Sequence, residues 1–392
     1  MRVLTGLDRI ARGDTHVLSL LRGKVGLVAH PASVDHRLVH AREVLRRAGV
    51  EVSALFGPEH GYGGEAQDMI GVAGAKDADG TPIHSLYGAS FEDLSPTPEQ
   101  LHGLDLIVVD LQDVGSRYYT FVWTAVLVMK AASKLGIPTV ILDRPNPLGG
   151  IRLEGAPQRK GYRSFVGLHD VPVRHGMTIG EITDFARAEL GIDEKLLKVV
   201  CMNGWNRAMR FEDTGLPWVW PSPNMPTVDT TRVYPGGCLI EGTNLSEGRG
   251  TTRPFEMFGA PFVDGRALAE LSIEGALLRP LTFHPMFHKH AHQICGGVHV
   301  SVTDESTFSS YQAYLRLIAR CHQLNPSAFA WRTERYEYVD TIPAIDLLTG
   351  GPEYREAVNR GDALDDLLDE DQASAMRFFK TRAPFLLYAE GR

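Results

Sequence analysis

The chain is poor in cysteine and has no paired cysteine motif. Its four cysteines, Cys201, Cys238, Cys295 and Cys321, are widely spaced and form no C-x-x-C. That excludes zinc-knuckle and thioredoxin-type chemistry. Reduced, buried thiols are expected, with a single disulfide as the alternative. Basic charge is not in excess either. The formal net charge is −8 at pH 7, which does not favour nucleic acid or an anionic membrane as partner, because both need a basic face. Long apolar runs are missing. The stretch "MRVLTGLDRIARGDTHVLSLLRGKVGLVAH" contains no apolar h-region and no transmembrane span. It reads as an amphipathic helix leading into a strand. A cytoplasmic protein is expected, or an exported one if a leader has been removed. No G-x-G-x-x-G follows the first strand, where the chain has "AHPASVD". The glycine-rich "EGTNLSEGRGTTRPF" lacks the GK[ST] ending of a P-loop. Dinucleotide and nucleotide readings are therefore weak. There is no internal repeat and no low-complexity segment.

What is present fits a globular enzyme. The chain has 392 residues, 43% of them hydrophobic and 22% charged, enough for two packed domains. "KVGLVAH", "VEVSALF", "DLIVVDL" and "PTVILD" read as strands. "HRLVHAREVLRRAG", "YTFVWTAVLVMKAASKLG" and "MTIGEITDFARAEL" read as helices, the last with Thr178 as N-cap and Glu181 completing a capping box. Strands apolar on both faces, alternating with helices, predict an α/β fold with a parallel sheet covered by helices. Residues 203–262 read as a long irregular stretch, which inside a compact domain is functional or a connection. Beyond it, "CGGVHVSVTD" reads as a strand, "STFSSYQAYLRLIARCHQL" as a helix, "TERYEYVD" as polar strand material and "ALDDLLDEDQASAMRFFKTR" as an acidic helix. The expected division is a parallel-sheet domain over residues 1–230 and a smaller α+β domain over residues 231–392.

Ligands of parallel sheets bind beyond the carboxyl ends of the strands. Three strands here end in polar clusters: Glu59-His60, Gln112-Asp113 with Arg117, and Asp143-Arg144 with Asn146. The first sits in "LFGPEHGYGG". Either it is a turn with a capping Glu59 and a packed His60, or Glu59 is a general acid or base. Asp113 either fixes a loop through Arg117 or is a second carboxylate, and paired carboxylates are what glycosidic cleavage uses. Asp143, Arg144 and Asn146 either stiffen a loop or hydrogen-bond sugar hydroxyls and amides. "EGTNLSEGRGTTRPF" gathers Glu241, Asn244, Glu247, Arg249 and Arg253 in one loop, as an interdomain connection or as a wall of the cleft. His284, His288, His290, His292 and His299 with Cys295 invite a metal reading, but no carboxylate stands in register with them and no metal is expected.

Taken together, "LFGPEHG", "DLQDVGSRYYTFVWT", "LDRPNPLGG", "VPVRHGMTIGE", "PSPNMPT" and "EGTNLSEGRGTTRPFEMFGAPF" resemble the exo-β-N-acetylmuramidases of the NamZ type, long catalogued as a domain of unknown function. The resemblance runs over nearly the whole chain. It implies a Rossmann-like N-terminal domain and a smaller C-terminal domain closing a cleft. It also implies release of N-acetylmuramic acid from the non-reducing end of peptidoglycan fragments (MurNAc-GlcNAc), in cell-wall turnover and recycling, without a cofactor. Glu59 of GPEHG becomes the catalytic candidate, and Asp113 or Glu241 a second carboxylate. His60, Arg117, Asp143, Arg144, Asn146, His175, Asn224, Asn244, Glu247 and Arg249 become candidates for substrate binding. For the lactyl carboxylate of MurNAc an arginine suits best, since its planar fork binds carboxylates; Arg117, Arg144, Arg249 and Arg253 are the candidates, with Arg249 preferred unless it merely ties its loop to the sheet domain. Direct nucleophilic, inverting and substrate-assisted routes all stay open. Two departures stand out: many members are exported, and "FHKHAHQICGG" is unusually rich in histidine. A non-catalytic muropeptide-binding protein is the alternative function, and a metal-dependent deacetylase or amidase a weaker one.

Overall fold

The computed structural model describes residues 2–64 and 75–391. Seven strands form the larger sheet: β1 (Lys24–Ala29), β2 (Glu51–Gly57), β3 (Ala75–Lys76), β4 (Pro82–Ser85), β5 (Leu106–Asp110), β6 (Thr139–Leu142) and β7 (Leu197–Val200), in the order β3-β4-β2-β1-β5-β6-β7. All neighbours pair in parallel except β3, which runs antiparallel to β4. Side chains of the central strands divide between the two faces as the period-2 pleat requires. Val28, Ile107, Val109 and Ile141 pack against the helix Phe121–Ser133. Val25, Leu27, Val108 and Val140 pack with Leu7, Ile10, Val17 and Leu45 from helices on the other face. The helix Phe121–Ser133 is apolar nearly all round because both of its sides are covered.

The N-terminal stretch forms two short helices rather than one. Gly6–Ala11 starts at a Thr5/Asp8 capping box and Thr15–Leu20 at Asp14. Each cap satisfies amides that would otherwise be orphaned at a helix start. The helix Ile179–Glu189 begins at the capping box of Thr178 and Glu181.

The irregular stretch 203–262 contains more order than its composition suggests. Within it lie the helix Val228–Gly237, with Pro235 inside, and strand β8 (Met257–Ala260). β8 joins β9 (Ala276–Phe283) and β10 (Cys295–Val302) in an antiparallel sheet of order β8-β10-β9. The helix Ser310–Leu324 crosses Val228–Gly237 at Gly236, where an added Cβ would fall 2.1 Å from the Ser310 carbonyl oxygen. "TERYEYVD" is not a strand. It is a tight turn closed by reciprocal backbone bonds between Tyr336 and Val339, at 2.8 and 2.9 Å. After the helix Asp365–Arg382 the chain returns to the larger sheet, where the Leu387 amide reaches Glu181 and the Tyr388 hydroxyl reaches Asp143. All four cysteines are free thiols, three of them buried. Among the described residues, no helix is long and apolar enough to cross a membrane.

Candidate active site

The sheet order reverses between β1 and β5, so the connections after neighbouring strands diverge there and leave a crevice at their carboxyl ends. β2, next to β1, delivers Glu59 to this edge. Gly57 ends the strand where a Cβ would meet the Tyr62 amide nitrogen at 2.3 Å. The Gly61 amide then closes the turn on the Pro58 carbonyl at 2.9 Å. His60 takes φ +71° inside this turn, a left-handed conformation that costs a residue with a Cβ. The turn leaves Glu59 buried, only 5% exposed. The Thr120 hydroxyl donates to Glu59 Oε2 at 2.7 Å, whereas Oε1 has no hydrogen-bond partner among the described residues.

Glu59 lines a narrow cavity between the two halves of the chain. The first half adds His60, Thr120 and Asn224; the second adds Glu241, Arg249 and Glu337. Glu241 is saturated: Arg249 Nη2 donates to Oε1 at 2.6 Å and the Tyr336 hydroxyl to Oε2 at 2.7 Å. Arg249 Nε also stands 3.1 Å from Glu247. Glu247 is fully buried, and burial alone would raise its pKa. Lys289 at 3.2 Å, His288 at 2.9 Å and Arg249 outweigh that and hold it well below the usual carboxylate range. Arg249 is thus tied into a charged network rather than free in a flexible loop. Burial pushes the Tyr118, Tyr119 and Tyr234 hydroxyls well above their ordinary range, with the charges of Glu59 and Asp113 adding to the effect on Tyr119. They stay protonated at neutral pH and can donate into the cavity that they line.

The other sequence candidates lie outside the residues that line this cavity. Asp113 Oδ2 accepts from the Gly115 amide at 2.8 Å and lies 3.4 Å from His175 Nε2. His175 is fully buried and accepts the Met177 amide on Nδ1 at 3.2 Å. Arg117 does not pair with Asp113; its guanidinium donates to the carbonyls of Ala156, Val171 and Leu348 at 2.6–3.0 Å, tying the two halves together. Asp143 accepts from Thr178, Gly180 and Tyr388, and burial raises its pKa. Arg144 grips Asp110 with two bonds of 2.6 and 2.8 Å. Asn146 spends its amide on Met177 and Leu148, and Asn244 on Ala328 and Ala330. Arg253 is 3.3 Å from Glu256. His290 contacts the Asn244 carbonyl at 2.7 Å and His299 stands 3.6 Å from Glu256. No group of three or more His, Cys, Asp or Glu side chains placed to hold a metal occurs among the described residues.

Sequence reasoning missed Thr120, Tyr336 and Glu337. Thr120 was hidden at the start of an apolar helix. Tyr336 and Glu337 were hidden in a segment whose alternation reads as a strand. The clue was the density of ionisable and aromatic residues in "ERYEY".

Residues 25–229 match the N-terminal, and residues 232–388 the C-terminal, region of the family described as exo-β-N-acetylmuramidase NamZ. The peptidoglycan β-N-acetylmuramidase NamZ of Bacillus subtilis strain 168 is 41% identical over 395 residues, covering 99% of this chain and 92% of that protein. Crystal structures of two DUF1343 family proteins from Bacteroides fragilis NCTC 9343 are also similar. One has a TM-score of 0.87 at 31% identity and covers 99% of both chains; the other has 0.73 at 26% and covers 100% of both. With matches along nearly its whole length, the chain belongs to the NamZ family of exo-β-N-acetylmuramidases.

Proposed function

We propose that the chain is a glycoside hydrolase that releases N-acetylmuramic acid from the non-reducing end of peptidoglycan fragments such as MurNAc-GlcNAc, in cell-wall turnover and recycling. The observation that carries the reading is Glu59: a buried carboxyl at a strand end that lines a cavity, with one oxygen anchored by Thr120 and the other without a hydrogen-bond partner among the described residues. In its protonated form, such a group donates to the glycosidic oxygen as the bond to the anomeric carbon breaks. The parallel-sheet domain, residues 1–230, supplies this acid, and residues 231–392 close the cleft from the other side. His60, Asn224 and Arg249 line the same cavity and are our candidates for sugar contacts. Arg249 has the chemistry for the lactyl carboxylate, which would share the guanidinium with Glu241 and Glu247. Asp113, Arg117, Asp143, Arg144, Asn146, His175, Asn244 and Glu247 support the site by fixing the loops around it. The test is incubation with MurNAc-GlcNAc and with an intact glycan chain, followed by mass analysis. Free MurNAc and a remainder ending in GlcNAc are expected. Unchanged saccharides, or cuts within the chain, would overturn the reading.

A further inference from the structure

Glu337 comes to the cavity from the second half of the chain. It is 4% exposed and lines the same space as Glu59. Its backbone is unusual. Tyr336 and Val339 exchange hydrogen bonds, and the two residues between them, Glu337 and Tyr338, have φ of +42° and +70°. Two positive φ values inside a two-residue loop are the pattern of a type I′ turn, whose positions favour Asn and Gly. Here they hold two large side chains, each of which carries a steric cost in that region. The surrounding structure maintains the turn. The Tyr338 hydroxyl donates to the Gly88 carbonyl at 3.1 Å, and the Glu337 carboxylate faces the Tyr87 hydroxyl at 3.4 and 3.5 Å. The ring of Tyr338 also packs edge-on against Tyr87 and Phe165.

Backbone strain of this kind persists where the structure over-determines it, and it clusters at functional sites. The Glu59 turn has the same device, since His60 is also a left-handed residue with a bulky side chain. Two carboxylates of one cavity, one from each half of the chain, are therefore presented by turns whose backbone favours other residues. Glu241, the third carboxylate there, is neutralised by Arg249 and also held by Tyr336. Tyr336 thus links the turn carrying Glu337 to that neutralised pair.

The geometry points to Glu337 as a second catalytic carboxylate, placed beside the anomeric carbon of a sugar whose leaving oxygen meets the acid Glu59. This rests on the hydrolase reading above. As the bond between C1 and the leaving oxygen breaks, its electron pair stays on that oxygen, which takes the Glu59 proton. The positive charge left on C1 and the ring oxygen lies beside the Glu337 carboxylate, which stabilises it. Water then bonds to C1 and gives its proton to the Glu59 carboxylate.

The test compares Glu337→Gln with Glu59→Gln on MurNAc-GlcNAc and on 4-nitrophenyl MurNAc. A nitrophenolate departs without protonation, so the loss in Glu59→Gln should shrink at least tenfold on the aryl glycoside. The loss in Glu337→Gln should be about 10²–10⁴ in kcat on both substrates, with KM little changed and melting at or above wild type. Formate should partly restore Glu337→Ala, by supplying an anion in the space the side chain leaves. Glu337→Gln turning over both substrates within threefold of an active wild type would overturn the inference alone. So would a loss confined to KM, or one accompanied by a collapse in melting temperature. A wild type that cleaves neither substrate would overturn the hydrolase reading, and this inference with it.

Discussion

The ends of β2 and β6 look alike in sequence and are used differently in the structure. Each strand is apolar, runs parallel to its neighbours and terminates in an acidic residue beside a proline loop. At β6, Asp143 accepts from Thr178 at 2.7 Å, Gly180 at 3.0 Å and Tyr388 at 2.6 Å. At β2, Glu59 accepts from Thr120 alone among the described residues, its second oxygen is left without a partner, and the residue lines the cavity. Strand-end position brings a carboxyl to the right edge of the sheet. The supply of local donors then decides whether it becomes a corner or a site. Leaving a buried oxygen without a partner costs on the order of 1–3 kcal/mol, which is tolerable where a substrate will supply the missing contact.

The comparison predicts where damage should fall. The largest stability effect is expected at the saturated corner. Arg144→Met strands the fully buried Asp110 without its cation, a loss of roughly 3–5 kcal/mol. Denaturant unfolding should show it, while kcat/KM per folded molecule stays within about threefold. Wild-type stability would break the comparison.

A second, smaller effect concerns pH. Burial pushes the Glu181 carboxyl up to about 7, against the pull of Arg207 and of the Thr178 and Leu387 amides. The folded chain then holds a proton that the unfolded chain releases. This contribution to stability is complete below the ordinary glutamate range and is lost as pH rises through about 7. Melting of the wild type should fall between pH 5 and pH 8 by the equivalent of about 1–3 kcal/mol, and Glu181→Gln should flatten that slope. Equal slopes would remove Glu181 as the cause.

The smallest effect is expected at Thr120→Val, which deletes the one donor to Glu59 among the described residues. A lost hydrogen bond of about 1 kcal/mol corresponds to roughly fivefold in kcat/KM. A change as large as that of Glu59→Gln would mean that Thr120 takes part in the chemistry itself.

The sheet was legible because parallel strands buried on both faces leave continuous apolar runs, as "DLIVVDL" and "PTVILD" do. Thr178 and Glu181 announced a helix start through local hydrogen bonding alone. That Glu59 would lie at the carboxyl edge of the sheet was legible from its place after such a strand. The second wall was not. Glu337 reaches the cavity through a turn with two left-handed residues, and turn rules seek glycine or asparagine there. The partners that hold Asp143, Arg144 and Asn146, such as Tyr388 and Met177, were not legible because they lie far along the chain. Spacing within a motif carries no information about such partners.

If donor supply rather than strand-end position separates a catalytic carboxyl from a structural one, Glu59 and Asp143 must differ in what their removal does. That difference is tested most directly by measuring kcat/KM on MurNAc-GlcNAc for Glu59→Gln and Asp143→Asn side by side, each corrected for its folded fraction. A fall of about 10²–10⁴ is expected for Glu59→Gln with near wild-type melting. For Asp143→Asn lowered melting is expected, with activity per folded molecule within about tenfold of wild type. Equal losses of activity in the two variants, or a Glu59→Gln variant within threefold of wild type, would contradict the role of donor supply.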